Sequence, residues 1–203
     1  MWDWISENSG LVQAGMAAVT ALIWMIYLHV IVSGLRRQRR TEILIHLGGA
    51  RDLSARILVS NLGFEPIYVL EIMLTVWTAD GQRMSSVADR TEIARDQHAT
   101  PREATLQGPL KSGDHVDIGS VLDLLDRARH SSFDALEPQD IREVEVTVAA
   151  ITAADSRIAA AARRFAMKGQ GDDLSLCPKN LYARQIRSSW RRRRIEAQLR
   201  ERL

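Results

Sequence analysis

The sequence has few of the residues on which disulfide scaffolds, cysteine-based metal modules and repetitive chains depend. One cysteine among 203 residues excludes a disulfide framework and any zinc module built on cysteines. Five prolines and twelve glycines exclude collagen-like and low-complexity classes. Hydrophobic residues at 46% and charged residues at 26% are typical of a globular chain instead, long enough for one domain with appendages.

The sequence also lacks the motifs of common enzymes. It contains no G-x-x-x-x-G-K or G-x-G-x-x-G phosphate-binding pattern, no G-x-S-x-G nucleophile turn and no H-x-x-x-H metal pair. Three weaker candidates remain. His115 and Asp117 share one face of a predicted strand, Asp123 and Asp126 lie one helical turn apart, and Cys177 precedes a proline. Each is more typical of an ordinary surface or loop, so we expect no catalytic residue, no metal, no cofactor and no enzyme activity.

Charge is distributed unevenly along the chain. Of 27 basic residues 24 are arginine, so the basic character persists at any cellular pH. Residues 1–40 carry four arginines against two acids, and residues 184–203 carry eight against two. Residues 41–183 between them are acidic, with 15 basic against 21 acidic side chains. Two basic clusters on either side of an acidic body indicate contact with a membrane or another polyanion.

One segment has the length and composition of a transmembrane helix. Residues 11–35 contain no charged side chain other than a titratable histidine, His29. A helix of this length is roughly 37 Å long, enough to cross a ~30 Å hydrocarbon core. A buried helix of a soluble protein rarely runs so long without charge. A cleaved signal peptide would need a basic start and a small-residue cleavage site, and this segment has neither. His29 lies about 10 Å inside the basic border. The simpler interpretation is a neutral imidazole near the headgroups, and the alternative is a functional group inside the membrane.

The residues flanking this segment predict its orientation. The positive-inside rule places the N-terminus outside and everything after residue 36 in the cytoplasm, which the lone cysteine also suits. The residues expected at the membrane interface are Trp2, Trp4, Arg36, Arg37, Arg39 and Arg40.

A stripe of small residues on the predicted span favours close approach by a second helix. Its members fall within one 100° sector: Gly10, Ala14, Ala17, Ala18 and Ala21. Small residues can also face lipid, so this stripe contacts either a partner helix in the bilayer or lipid.

After residue 41 the apolar pattern changes from continuous to alternating. The expected strands are 42–47, 55–62, 67–78, 83–88, 103–107, 114–118 and 142–151. Along 67–78 one wholly apolar face is expected, from Tyr68 through Val76. Ser120 and Asp123 predict a capping box at the start of a helix that ends near residue 130. Residues 157–168 suit either a helix, by their alanines, or a second strand in a hairpin with 142–151, which we favour.

Many short strands with turn signals between them predict an antiparallel β-sandwich. The stretch Val59-Ser-Asn-Leu-Gly-Phe-Glu-Pro-Ile-Tyr-Val69 resembles the V-x-N-x-G…P-x-x-V stretch of bacterial immunoglobulin-like modules, in which an Asn-x-Gly turn follows one strand and the proline begins the next. The layout also resembles single-pass bacterial proteins with such a sandwich behind an N-terminal anchor. The resemblance supports the sandwich fold and implies no enzyme, cofactor or catalytic residue, since those proteins generally have no assigned activity. From the span and its flanking charges we expect an inner (cytoplasmic) membrane location.

The C-terminal part has the composition of a linker followed by a basic helix. Its apolar residues change sides along the helix, with Ile186 and Trp190 on one side and Ile195 and Leu199 on the other. The residues expected to contact an anionic partner are Arg187, Trp190, Arg191, Arg192, Arg193 and Arg194. That partner is expected to be anionic lipid or an acidic protein, and less readily nucleic acid.

These observations predict a mainly β protein with six segments. They are an extracytoplasmic tail at 1–10, a transmembrane helix at 11–35, a basic juxtamembrane segment at 36–40, a β-sandwich at 41–168, a linker at 169–179 and a basic helical tail at 180–203. We expect a non-enzymatic, membrane-anchored binding or scaffolding module, with a regulatory sensor that binds a small ligand in the sandwich as the alternative. The sequence identifies neither the partner nor the oligomeric state.

Overall fold

The computed structural model describes residues 8–38, 41–49, 51–90, 104–131, 133, 136–152, 155–169 and 171–200. The chain forms two compact units, Met1–Arg40 and Thr41–Leu203. Trp2, Trp4, Arg39 and Arg40 lie outside the described residues.

The first unit contains one long apolar helix, α1 (Ser9–Gln38). Its Ser9–Leu35 portion is long and apolar enough to cross a membrane, and among the described residues none of the side chains in that portion is buried. The Thr20 hydroxyl donates a hydrogen bond to the Met16 carbonyl at 2.8 Å, so this polar side chain is satisfied within the helix. Apolar surface of this extent is typical of a helix that contacts lipid or another protein.

The second unit contains ten strands and two helices among its described residues. The strands are β1 (Ile43–Gly48), β2 (Arg56–Asn61), β3 (Ile67–Thr78), β4 (Gly81–Ser86), β5 (Gly108–Leu110), β6 (His115–Ser120), β7 (Glu143–Thr152), β8 (Asp155–Lys168), β9 (Ser175–Pro178) and β10 (Arg184–Ile186). The helices are α2 (Val121–Ser131) and α3 (Ser189–Arg200), and two 3₁₀ turns cover Pro138–Asp140 and Gly171–Asp173.

The strands form two antiparallel sheets that enclose one core. The smaller sheet has the order β1-β2-β6, and the larger has the order β10-β8-β7-β3-β4, with β5 on the edge of β3 and β9 on the edge of β8. Buried side chains of both sheets and of α2 make up the main hydrophobic cluster, including Ile45, Val59, Leu74 and Phe165. The predicted β-sandwich with accessory helices is therefore confirmed.

Several local predictions are confirmed as well. The Ser120 hydroxyl accepts a hydrogen bond from the Asp123 N–H at 3.1 Å, and the Asp123 carboxylate accepts one from the Ser120 N–H at 2.7 Å, which is the expected capping box. Residues 157–168 belong to β8, which pairs antiparallel with β7 as the hairpin interpretation requires. The helix alternative for this segment was wrong because its alanines lie between two neighbouring strands.

The prediction of a single apolar face along 67–78 is wrong. A bulge between Val69 and Glu71 exchanges the two faces of β3. Odd-numbered residues face the core before the bulge, and even-numbered residues from Ile72 onward face it afterwards. Tyr68, expected in the core, is consequently exposed.

The strand expected at 103–107 lies a few residues further along the chain. In the described part of that segment only Thr105 forms an isolated bridge, with Asp89, whereas β5 covers Gly108–Leu110. β4 pairs with β3 only from Met73 onward, so the earlier part of β3 has an open edge on that side. β5 pairs with β3 along this open edge. The strands expected at 83–88 and 114–118 are shifted by one or two residues.

The segment 169–179, expected as a linker, is part of the sandwich. β9 within it pairs with the last residues of β8, so their backbone groups find partners. The expected continuous helix over 180–203 is also wrong in its first part. β10 precedes α3 and pairs with Ala160–Ala162 of β8, so the basic C-terminal segment is integral to the second unit.

Candidate functional site

The helix α3 is fixed on the outer face of the larger sheet. Ile195 is buried and Leu199 is partly buried against a second hydrophobic cluster that includes Ile158, Ala160 and Ala162 of β8. Small alanine side chains leave room for a helix to pack closely on the sheet. Ile186, the last residue of β10, belongs to the same cluster. Ile186 and Ile195, expected on two sides of one helix, therefore lie on an edge strand of the larger sheet and on a helix packed against that sheet.

The arginines of this segment divide into structural and exposed groups. Arg192 is half-buried, and its Nε donates to the Ile186 carbonyl at 3.1 Å, which joins α3 to β10. Arg187 forms an ion pair with Glu42 at 3.1 Å. Three further arginines of α3, Arg191, Arg193 and Arg194, are exposed and form no ion pair with a described acidic side chain, whereas the exposed Arg200 at the end of the helix pairs with Glu196 at 2.7 Å.

Trp190 stands among these charges with 67% of its surface exposed. It precedes the three exposed arginines at the N-terminal turn of α3. The structure therefore combines an indole and three guanidinium groups on one rigid element, which we call the basic surface: Trp190, Arg191, Arg193 and Arg194. An amphipathic aromatic ring beside arginines suits an anionic partner with an apolar component.

The segment before the basic surface is attached to the smaller sheet. The Gln185 side chain accepts from the Ile43 N–H at 3.3 Å and donates to the Ile43 carbonyl at 2.7 Å. Arg163 of β8 donates to the Ile45 carbonyl at 2.5 Å. These side chains satisfy backbone groups on the outer edge of β1, which would otherwise be open to strand addition.

Arg163 is a buried cation held by carbonyl oxygens. It is 8% exposed, and besides Ile45 it donates to the carbonyl of Leu181 at 3.1 Å. Its guanidinium also lies 5.5 Å from the centre of the Phe165 ring. Burial lowers the pKa of Arg163 from its usual value.

His46 on β1 lies close enough to Arg163 to interact with its charge. Burial lowers the pKa of His46, and the positive charges of Arg163 and His115 lower it further. Its Nδ1 is buried without a hydrogen-bond partner among the described residues. The folded protein thus favours a neutral imidazole at this position.

A cleft of about 520 Å³ lies beside β5 and the start of β6. Its apolar lining includes Val69, Leu106 and Val116, and its polar lining includes Arg90 and His115. The Arg90 guanidinium donates to a backbone carbonyl of β6 at 3.2 Å, while its buried Nε has no partner in the part of the chain that the structure describes. The sequence does not predict this cleft, because its walls come from segments that lie far apart along the chain.

The weaker sequence candidates have structural roles. The Asp117 carboxylate pairs with Arg56 and accepts the Gly119 N–H at 2.9 Å. Burial raises the pKa of Asp117, but the hydrogen bonds from Arg56 and Gly119, together with nearby positive charge, outweigh burial and lower it. Asp126 pairs with Arg129 at 3.1 Å.

The remaining candidate, Cys177, is a half-buried thiol on β9. No cluster of three or more metal-binding side chains is found within the described ranges of the chain.

The small-residue stripe and the juxtamembrane arginines belong to the first unit. Gly10, Ala14, Ala17, Ala18 and Ala21 are all exposed on α1, as a helix-packing face or a lipid-facing one would be. Arg36 and Arg37 lie in its last turn.

Comparison of the chain with known family models, with curated proteins and with solved structures finds no match.

Proposed function

We propose that this chain is a non-enzymatic, single-pass protein of a bacterial inner membrane, whose immunoglobulin-like sandwich is a cytoplasmic binding or scaffolding module and an accessory part of a membrane complex. The observation that carries the proposal is the basic surface on α3. A disordered basic tail would be available to any polyanion, whereas this one is fixed by Ile195 and Arg192 in a defined arrangement. A rigid charged surface loses less conformational entropy on binding and suits a specific anionic partner.

The apolar helix α1 supports the membrane part of the proposal. The arginines at 36, 37, 39 and 40 follow it, and two acids precede it, so the positive-inside rule favours a cytoplasmic sandwich. The same rule favours an extracytoplasmic N-terminus.

Binding of an acidic peptide tests this function. The full chain in neutral detergent is titrated with fluorescent polyglutamate, and the triple variant Arg191→Gln, Arg193→Gln, Arg194→Gln is compared with it. Each exposed charge contributes on the order of 0.2–1 kcal/mol, so the loss of three charges should weaken binding by about threefold or more. Arg192 is kept because its bond to Ile186 is structural.

A matched control removes the same charge elsewhere. Arg51, Arg142 and Lys168 are exposed near the opposite end of the strands, where β7 begins and β8 ends. Their replacement by Gln should leave the affinity unchanged. Equal binding by the α3 variant and the parent would refute the basic surface as the binding site, and tighter binding of DNA than of polyglutamate at physiological salt would favour nucleic acid as the partner.

The cleft supports a second candidate function, a sensor of a small anionic ligand. A concave space with apolar walls and a guanidinium whose Nε has no partner among the described residues is typical of a ligand site. A panel of small carboxylates and phosphates should then raise the melting temperature of the parent but not of Arg90→Gln. No shift with any member of the panel would argue against the sensor.

A further inference from the structure

The two ends of the sandwich differ in their distance along the chain from α1. Only two residues separate Gln38, the last residue of α1, from Thr41, where the sandwich begins. An extended residue spans at most about 3.5 Å, so the connection from Gln38 to Thr41 is no longer than roughly 11 Å. We call the end formed by residues 41–42, 62–66 and 187–190 the tethered end.

Glu42 holds the two exposed loops of the tethered end together. Its carbonyl accepts the Leu62 N–H at 2.8 Å, and its carboxylate pairs with Arg187 at 3.1 Å. The loop after β2 and the loop before α3 therefore both contact one residue. Trp190 and the exposed arginines of α3 come shortly after Arg187 in the chain.

The loop after β2 presents two apolar side chains to solvent. Leu62 is 56% and Phe64 is 73% exposed. The turn between them is rigid, because the Asn61 side chain accepts the Gly63 N–H at 3.0 Å and donates to the Glu65 carbonyl at 2.8 Å. A fixed turn cannot fold these side chains back into the core, so they are held ready for an apolar contact outside the domain.

Charge at this end suits an anionic surface. Arg187 neutralises Glu42, and the arginines of the basic surface add three positive charges. Glu65, a partly buried acid in the turn after β2, offsets one of them, and the exposed Lys111 and Asp114 in the loop bonded to Asn61 cancel each other. Exposed apolar residues beside arginines, on the end that the chain tethers to a span, match the headgroup region of an anionic leaflet.

We propose that the tethered end docks on the membrane that α1 spans, with Leu62 and Phe64 inserted between headgroups and Arg191, Arg193 and Arg194 on anionic lipid. This inference rests on the proposed function and names lipid as the partner of the basic surface. Docking holds the sandwich in one orientation, with the start of α2 at the end far from the bilayer.

A fluorophore on the turn tests this docking. The full chain carrying Cys177→Ser and Phe64→Cys, labelled with an apolar environment-sensitive dye that takes the place of the Phe64 ring as the inserted group, is reconstituted in nanodiscs of phosphatidylglycerol and phosphatidylcholine or of phosphatidylcholine alone. A second protein carries the dye at Leu122→Cys, an exposed position at the start of α2. Residue 122 follows the far end of β6, about 20 Å along the strands from the tethered end.

We expect spin-labelled lipid to quench the dye at residue 64 in anionic discs and not the dye at residue 122. High salt and the Arg191→Gln, Arg193→Gln, Arg194→Gln variant should each reduce quenching at residue 64 to the level at residue 122. The control with Gln at positions 51, 142 and 168 should be quenched as the parent is. A dye at residue 64 that stays unquenched in anionic discs overturns the docking, and it does so without refuting the proposed function if the same arginines bind polyglutamate.

Discussion

Asn61 is fully buried, and its side-chain amide makes three hydrogen bonds that fix the turn between β2 and β3. The sequence predicts the local part of this arrangement, since Asn-x-Gly after an alternating run is typical of a turn. It does not predict the third bond, to the carbonyl of Leu110, which is 49 residues away. The exposure of Phe64 in the same turn was predictable from the sequence, because an aromatic side chain among turn residues has no core to enter.

Arg163 shows even more clearly that a local sequence pattern does not predict a long-range hydrogen bond. Its place on β8 follows from the predicted hairpin, but its carbonyl acceptor on Ile45 lies 118 residues away. No local pattern in the sequence indicates a buried guanidinium that covers the edge of another sheet. Such a residue is identified only when the two sheets are assembled.

His46 makes stability depend on pH near neutrality. Its pKa in the folded protein lies below the ordinary 6.5, so between these two values the unfolded chain binds more protons. Stability should therefore fall as pH drops through about 6.5 towards the folded pKa. Urea unfolding of the full chain in detergent at about pH 8 and about pH 5.5 measures this loss.

The variant His46→Leu should lose less stability than the parent over the same pH interval. His115→Gln is the matched control, because it keeps the imidazole of His46 and removes only the smallest of the three causes that lower the His46 pKa. An unchanged pH dependence in His46→Leu would show that this imidazole is not the responsible group.

At the scale of elements, the pairing of strands decided the outcome wherever sequence patterns failed. The bulge in β3 moved Tyr68 out of the core, and the open edge beside the start of β3 took up β5 rather than residues 103–107. The glycines of segment 169–179 indicated a linker, yet the edge of β8 made part of that segment a strand. The capping box was predictable because its two partners are three residues apart.

The docking of α3 depends on Ile195 rather than on Trp190. Truncation of the buried side chain, Ile195→Ala, should destabilise the second unit by about 2 kcal/mol or more through lost burial and a cavity. Trp190→Ala removes a larger but exposed side chain and should change stability by less than about 0.5 kcal/mol. Chemical denaturation compares the two, and a greater effect of Trp190→Ala would mean that α3 packs by its other side.

At the scale of the whole molecule, an apolar helix, a β-sandwich and a cationic surface follow one another along the chain. Composition and charge distribution were enough to predict this order, because segment-wide averages do not depend on tertiary contacts. The attachment of the basic segment to the sandwich was not predictable in this way. It arises from contacts of Ile195, Gln185 and Arg187 with residues far earlier in the sequence.

We predict that the sandwich lies in the cytoplasm, behind a membrane-spanning α1. Two single-cysteine proteins with Cys177→Ser, carrying Ser6→Cys or Leu122→Cys, are exposed to a membrane-impermeant maleimide in spheroplasts before and after the inner membrane is permeabilised. We predict that residue 6 is labelled in intact spheroplasts and that residue 122 is labelled only after permeabilisation, because four arginines follow the span and two acids precede it. Labelling of residue 122 in intact spheroplasts would contradict a cytoplasmic sandwich.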